Sequence, residues 1–353
     1  MTTTPSPLGN WFRQVAAGWD RFWFTPTDPA TLALIRILAG GMLFYTHLIW
    51  GVALSEFFGD HGWLNPHAVG LILKDSYKWS YLWWFHTPTS LAVVHGAAMI
   101  VFFLLTIGLF SRTMSVLAFI ATASYAGRGV GSQFGLDQIN LLLSMYLMVG
   151  PSGAAYSIDR LLKARRAGGP LPPAPPSTAA NIALRLMQLH LCIIYLYAGM
   201  GKLMGPAWWN GTAMWQAVAS LEYQSIDMTW LANYPMLLDL LTHVTVLWEL
   251  FYIALIWPRV TRPVMLVLAV PLHLGIAFCL GMVTFGTVML IANLAFVPAP
   301  VVRGFLQWCE SKLWGTAPRE ARAATVAAAP AGRRDERSSR RSKTKRRPGA
   351  GAA

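Results

Sequence analysis

The sequence predicts an all-α, polytopic integral membrane protein with about eight transmembrane helices. Hydrophobic residues make up 55% of the 353-residue chain. Charged residues make up only 12%, whereas soluble domains carry about 25%. Sixteen tryptophans also fit a membrane protein, because indole rings favour the headgroup layer. Composition alone therefore excludes an ordinary soluble domain.

Long apolar stretches with few charges recur along the chain, and each approaches the length of about twenty residues that a helix needs to cross a bilayer. The third, fourth and last are the shortest, so these helices could be tilted, broken or partly re-entrant. The eight predicted helices lie at about 31–54, 90–111, 113–130, 137–153, 180–205, 236–257, 263–281 and 283–300.

The distribution of Lys and Arg predicts the orientation in the membrane. Cytoplasmic loops of membrane proteins carry an excess of these residues. With a cytoplasmic N-terminus, the inner loops hold Arg112, the basic residues within 160–166, and Arg259 with Arg262. The outer segment between Gly205 and Pro258 then holds no Lys or Arg. We therefore expect both termini in the cytoplasm and a multi-pass protein of the plasma (cytoplasmic) membrane.

Composition divides the chain into three segments. Residues 1–30 have no apolar core of a signal peptide and are predicted to lie at the membrane interface. Residues 31–300 form the transmembrane domain, with halves at about 31–166 and 179–300 joined by a proline-rich cytoplasmic linker. Residues 301–353 form a basic tail that is expected to be largely disordered.

The net charge of +13 arises largely in this tail, because thirteen of the 28 Lys and Arg residues follow Val302. Such a tail is expected to bind anionic lipid or a cytoplasmic partner. No folded module or aromatic pattern indicates specific nucleic-acid binding. Cys192, Cys279 and Cys309 are far apart in the sequence, so no metal site is predicted.

Lys202 is the most informative residue, because it lies in the long apolar run of the fifth helix. An ammonium at membrane depth costs about 2.5–3.5 kcal/mol on insertion scales. One interpretation is a lysine that reaches the interface at the end of its helix. The other is a partly desolvated lysine that acts as a base. Both remain open from the residues alone.

Other polar residues in the spans have two readings as well. Glu249 lies mid-span and should be protonated or paired, with Lys202, Arg36 or a histidine as the partner. Asp239 and Arg36 are expected to be structural. His273 either bonds a neighbouring helix or has a catalytic or ligand-binding role.

The opening of the fourth helix carries Asp137, Gln138 and Asn140. Asp and Asn at a helix N-terminus are capping residues in the first place. Gln138 and Asn140 could also line a polar pocket at the outer face, and this is their candidate binding role.

Four segments of the chain carry a family resemblance. They are Pro26 to Arg36, Tyr156 to Leu162, Tyr197 to Leu203 followed by Trp209-Asn210-Gly211, and His273 to Met289. In this order and spacing they resemble the vitamin K-dependent gamma-carboxylase family and its horizontally transferred transmembrane (HTTM) domain. The resemblance covers about residues 20–300.

The resemblance implies that Lys202 matches the lysine that deprotonates a vitamin K-type quinol. Tyr197, Gly199 and Gly201 beside it are then candidate substrate- or cofactor-binding residues. His273 is a second candidate catalytic residue. Because residues 301–353 form a short basic tail, we expect no counterpart of the large region that follows the membrane domain in the carboxylase. Two hypotheses follow: quinol-dependent redox or carboxylase-type chemistry, and a non-catalytic membrane subunit that binds lipid or quinone. An unpaired, pocket-lining Lys202 favours the first, and a salt-bridged Lys202 favours the second.

Overall fold

The computed structural model describes residues 7–74 and 78–314. This part of the chain consists of helices joined by turns and loops, and its β structure is an isolated antiparallel bridge between Thr27 and Ser177. Its α-helices are α1 (Pro7–Phe24), α2 (Ala30–Val52), α3 (Leu54–Phe58), α4 (Pro66–Ile72), α5 (Pro88–Ile107), α6 (Ser111–Arg128), α7 (Gly135–Val149), α8 (Ile158–Arg166), α9 (Thr178–Leu203), α10 (Pro206–Trp209), α11 (Ala213–Val218), α12 (Pro235–Leu255), α13 (Arg262–Cys279), α14 (Val283–Asn293) and α15 (Ala299–Trp314).

The all-α class is confirmed, and each predicted apolar stretch coincides largely with one helix. Among the described residues, five helices are long and apolar enough to cross a membrane, namely α2, α5, α9, α12 and α13. The other three are α6, which is less apolar, and α7 and α14, which have only 15 and 11 residues. Length and composition therefore support five spans directly.

The two largest apolar clusters of the described residues form most of the interior. The main core draws on α2 and α7 from the first half and on α9, α12, α13 and α14 from the second. The second core joins α2, α5 and α6 to the segment that follows α2. Both halves therefore belong to one compact unit, which ends at Ala299.

The chain from Pro300 onward is a separate unit. Its described part is helical through Trp314, so the first residues of the predicted tail belong to α15. The remainder of that tail, 315–353, lies outside the described residues, as do residues 1–6 of the predicted interfacial segment.

The aromatic segment between α2 and α5 contains short helices. It folds as α3, α4 and a 3-10 turn at Tyr81–Trp83. Phe58, Val69 and Leu82 are buried in the second core. Their burial explains why this connection is more apolar than an exposed loop requires.

The proline-rich segment before α9 is held against the body of the protein. Thr27 and Ser177 exchange two backbone hydrogen bonds, of 3.2 and 2.8 Å. Arg160 donates to the carbonyl of Pro172, and Ala174 is buried. These contacts fix the entry of the chain into α9.

Arg36 lies on α2 and is fully buried. Its side chain reaches the C-terminal end of α5. Its guanidinium donates to the carbonyls of Leu105 (3.1 Å) and Tyr156 (2.6 Å). The last carbonyls of a helix lack partners within the helix and carry partial negative charge, so a cation is favoured there. Gly108 ends the helix with a φ of 73°, a conformation that favours glycine. Arg36 thus has a structural position away from Glu249.

Asp159 holds the turn between α5 and α6. Its carboxylate accepts from the backbone N–H of Phe110 and of Ser111, each at 2.8 Å, and from the Ser111 hydroxyl at 2.7 Å. Partial burial acts to raise the pKa of Asp159, but these hydrogen bonds and the charge of Lys163 outweigh it and lower the pKa below its ordinary value. The carboxylate therefore takes the place of a local cap for α6.

We expect protonation of Asp159 to make the protein less stable in acid. A carboxyl with a lowered folded-state pKa stabilises the fold fully above its unfolded value, about 3.9, and this stabilisation is lost as pH falls through the folded pKa. Asp159→Ala should lose about 1–2 kcal/mol at neutral pH.

Thermal unfolding in detergent between pH 7 and pH 3 measures both effects. The wild-type protein should lose more stability across this range than the variant does. Parallel pH profiles would contradict the role assigned to Asp159.

Candidate functional site

The candidate site is a buried ion pair between α9 and α12. The ammonium of Lys202 lies 2.7 Å from Glu249 Oε2 and donates a hydrogen bond of 2.8 Å to Glu249 Oε1. The Glu249 side chain is 8% exposed and the Lys202 side chain 22% exposed. Trp208 places its ring centroid 5.2 Å from the ammonium. Pairing with Lys202 thus compensates the charge of Glu249, the mid-span carboxylate identified in the sequence.

Gly199 allows the two helices to come this close. A Cβ at position 199 would lie 2.9 Å from Leu250 Cγ and 3.1 Å from Leu250 N. Small residues permit such an approach between membrane helices. Since Gly199 lies one turn before Lys202 and Leu250 follows Glu249, this contact brings the charged groups together. Gly199 therefore contacts a helix at the position where the resemblance implies a ligand.

A second polar cluster, the four-helix network, consists of Tyr195, Tyr252, His273 and Asn293. The Tyr252 hydroxyl donates to Asn293 Oδ1 (2.7 Å), and Asn293 Nδ2 donates to the Tyr195 hydroxyl (2.8 Å). The Tyr195 hydroxyl in turn lies 2.6 Å from His273 Nε2. Residues from α9, α12, α13 and α14 are thus joined by one chain of hydrogen bonds.

His273 ends this chain of hydrogen bonds. The Tyr195 hydroxyl accepts from Asn293 Nδ2 and shares a second hydrogen bond with His273 Nε2, whose direction depends on the histidine tautomer. His273 Nδ1 is buried and has no hydrogen-bond partner among the described residues. His273 therefore bonds a neighbouring helix through one ring nitrogen and leaves the other without a partner in this part of the chain.

The ion pair and the four-helix network occupy the same faces of two helices. Tyr195 and Lys202 are seven residues apart on α9, and Glu249 and Tyr252 are three apart on α12. Side chains at these spacings lie on one face of a helix. Trp248 packs edge-on against Tyr195, with ring centroids 4.7 Å apart.

Other predicted site residues lie elsewhere. Tyr197 is 72% exposed, and Gln138 and Gly201 are exposed as well. Asp239 is exposed near the start of α12, 3.2 Å from His243. Asn140 is buried and lines a cavity with residues of α2 and α6. The structure thus brings only Gly199 and Glu249 of the predicted set against the Lys202 region.

Sequence reasoning missed several buried polar side chains. Asn293 and Tyr252 complete the four-helix network, and His47 and His95 are buried in the first two apolar helices. Each is a polar group in an apolar stretch, which is the signal that could have identified them. Within the residues that the structure describes, no group of three or more His, Cys, Asp or Glu side chains is arranged to hold a metal.

Comparison with known proteins identifies the family. The HTTM domain matches residues 24–300, which is more than half of the chain. No curated protein and no solved structure matches the sequence. The HTTM membership predicted from the sequence is confirmed, and with five apolar helices of spanning length the chain is an integral membrane protein. The chain belongs to the HTTM domain family.

Proposed function

We propose that the protein binds the polar head of a lipid-soluble quinol or quinone at the Lys202–Glu249 pair, without catalysis. The salt bridge carries this proposal. An ammonium has three N–H donors, and the two carboxylate oxygens engage only part of them. The partly exposed ammonium can therefore donate to a ligand.

The charges favour a neutral, hydroxylated head group. A charged ligand would leave one member of the ion pair uncompensated, which is unfavourable in an apolar setting. A quinol hydroxyl both donates and accepts a hydrogen bond, so it complements Glu249 and Lys202 together. Exposed Met200, Met204 and Phe251 on the same two helices provide apolar surface for the rest of the molecule.

Quinol-dependent redox or carboxylase-type chemistry is the second candidate. Lys202 occupies the position that the family resemblance assigns to the base, and a proton acceptor lies beside it. In the observed pair Lys202 is the donor and Glu249 the acceptor. A quinol proton would therefore pass to Glu249, while the ammonium stabilises the quinolate oxygen.

Binding of a reduced naphthoquinone to the purified protein, followed by tryptophan quenching, tests the proposal. We expect the double variant Lys202→Met/Glu249→Leu to weaken binding at least 10-fold while remaining folded. Asp239→Asn, an exposed acid on the same helix, should bind as the wild type does.

The same samples separate the two candidates. Oxygen-dependent epoxide formation by the wild type that is lost in the double variant would favour the catalytic candidate. Equal binding by the wild type and both variants would mean that the ion pair is not part of the ligand site.

Membrane placement completes the proposal. We place both termini in the cytoplasm and the protein in the plasma membrane, with α6, α7 and α14 completing eight spans. The rule on Lys and Arg in loops supports this arrangement. Exposed Trp11 and Trp19 on α1 suit the lipid interface. The basic tail would then meet anionic lipid or a cytoplasmic partner.

Reporter fusions after Ser177 and after Tyr223 test this orientation. A cytoplasmic reporter should be active after Ser177, and an external reporter after Tyr223. The opposite pattern would place Lys202 on the cytoplasmic side and overturn the proposed topology.

A further inference from the structure

A small cavity between α2, α6 and α7 lies apart from the Lys202–Glu249 pair and the four-helix network. Its lining includes His47, Trp50, Tyr125, Asp137 and Asn140. The cavity has room for about one water molecule. This size excludes a quinone ring and admits only a very small ligand.

Two buried polar atoms of the lining have no hydrogen-bond partner among the described residues. These atoms are Nε2 of His47 and Oδ1 of Asn140. Their residues are 6% and 3% exposed. Buried polar atoms in folded proteins are nearly always hydrogen-bonded, so two such atoms on one cavity indicate a site for a small polar ligand.

Both atoms are acceptors. His47 Nδ1 lies 2.8 Å from the carbonyl oxygen of Leu43, which can only accept, so Nδ1 carries the proton. In the neutral ring Nε2 is then an acceptor, as is the amide oxygen of Asn140. Packing keeps the imidazole in place, since its centroid is 4.4 Å from that of Phe102 and 4.7 Å from that of Tyr125.

We propose that this cavity binds a water-sized hydrogen-bond donor that bridges His47 Nε2 and Asn140 Oδ1. Water is the ligand that fits best, because it offers two protons to two acceptors and carries no charge into a buried site. An ammonium ion is a donor of similar size, and the rings of Trp50 and Tyr125 with the carboxyl of Asp137 suit a cation. Either donor would join α2 to α7.

Nitrogen NMR of the full-length protein in detergent, labelled with ¹⁵N-histidine, tests the proposal directly. His47→Phe assigns the resonance. We expect His47 Nε2 to show the shift of an acceptor that is hydrogen-bonded. A shift typical of a free imidazole nitrogen would overturn the proposal.

Titration with ammonium chloride against potassium chloride identifies the donor. A resonance that responds equally to both salts, together with magnetisation transfer from water, indicates water. A specific response to ammonium identifies the cation. Both results support a bound donor.

Thermal unfolding gives an independent readout of opposite sign for the two possibilities. If Asn140 accepts a hydrogen bond, Asn140→Leu should lower Tm by about 2–4 °C. If Oδ1 has no partner, removing it should raise Tm, because an unsatisfied buried acceptor is destabilising. Gln138→Leu, an exposed change on the same helix, should leave Tm unchanged.

Discussion

Replacing Lys202 with alanine should lower the free energy of unfolding by about 3–5 kcal/mol, because it leaves the Glu249 carboxylate buried without its partner. Glu249→Gln should lose less. The Lys202 side chain is 22% exposed against 8% for Glu249, so an unpaired ammonium can move toward water while an unpaired carboxylate cannot. The two single variants therefore differ in stability because Glu249 is more deeply buried than Lys202.

Chemical unfolding in detergent measures these losses in the free energy of unfolding. It compares both single variants with the double variant Lys202→Met/Glu249→Leu. The double variant should be close to the wild type, since apolar residues of similar volume often replace a buried ion pair at little cost. Equal, small losses in both single variants would mean that the pair is solvated and contributes little. Asp239→Asn serves as the control.

Arg36→Met should lower the free energy of unfolding by about 2–5 kcal/mol, because the carbonyls of Leu105 and Tyr156 lose a charged donor inside the protein. Gly108→Ala should also destabilise the fold. Its φ of 73° disfavours alanine, and the added Cβ would overlap the Arg36 guanidinium. Both substitutions therefore disrupt the same contact, which is between the Arg36 guanidinium and the C-terminal end of α5.

Denaturant titration of the single variants and the double variant tests whether they act on one contact. Losses in the double variant should be smaller than the sum of the single losses, since both remove the same interaction. Leu38→Met, an exposed change on the same helix, should stay within about 0.5 kcal/mol of the wild type. Full additivity would contradict the shared contact.

The helix positions could be predicted closely from the sequence. Every predicted apolar stretch coincides largely with a helix, because a run of apolar residues long enough to cross a bilayer satisfies its backbone hydrogen bonds only within the helix. The shortness of the last predicted helix was also apparent, and α14 ends at Asn293, before the predicted end.

The sequence by itself determined the fold class, the family and the need for Glu249 to be paired or protonated. A mid-span carboxylate is unfavourable wherever it lies, so that need follows from one residue. Tertiary structure alone decided that the partner is Lys202 and not Arg36, because the choice depends on how closely α12 approaches Gly199. It also decided that His47 and Asn140 share a cavity. These residues lie far apart in the chain, and the packing of α2 against α7 brings them together.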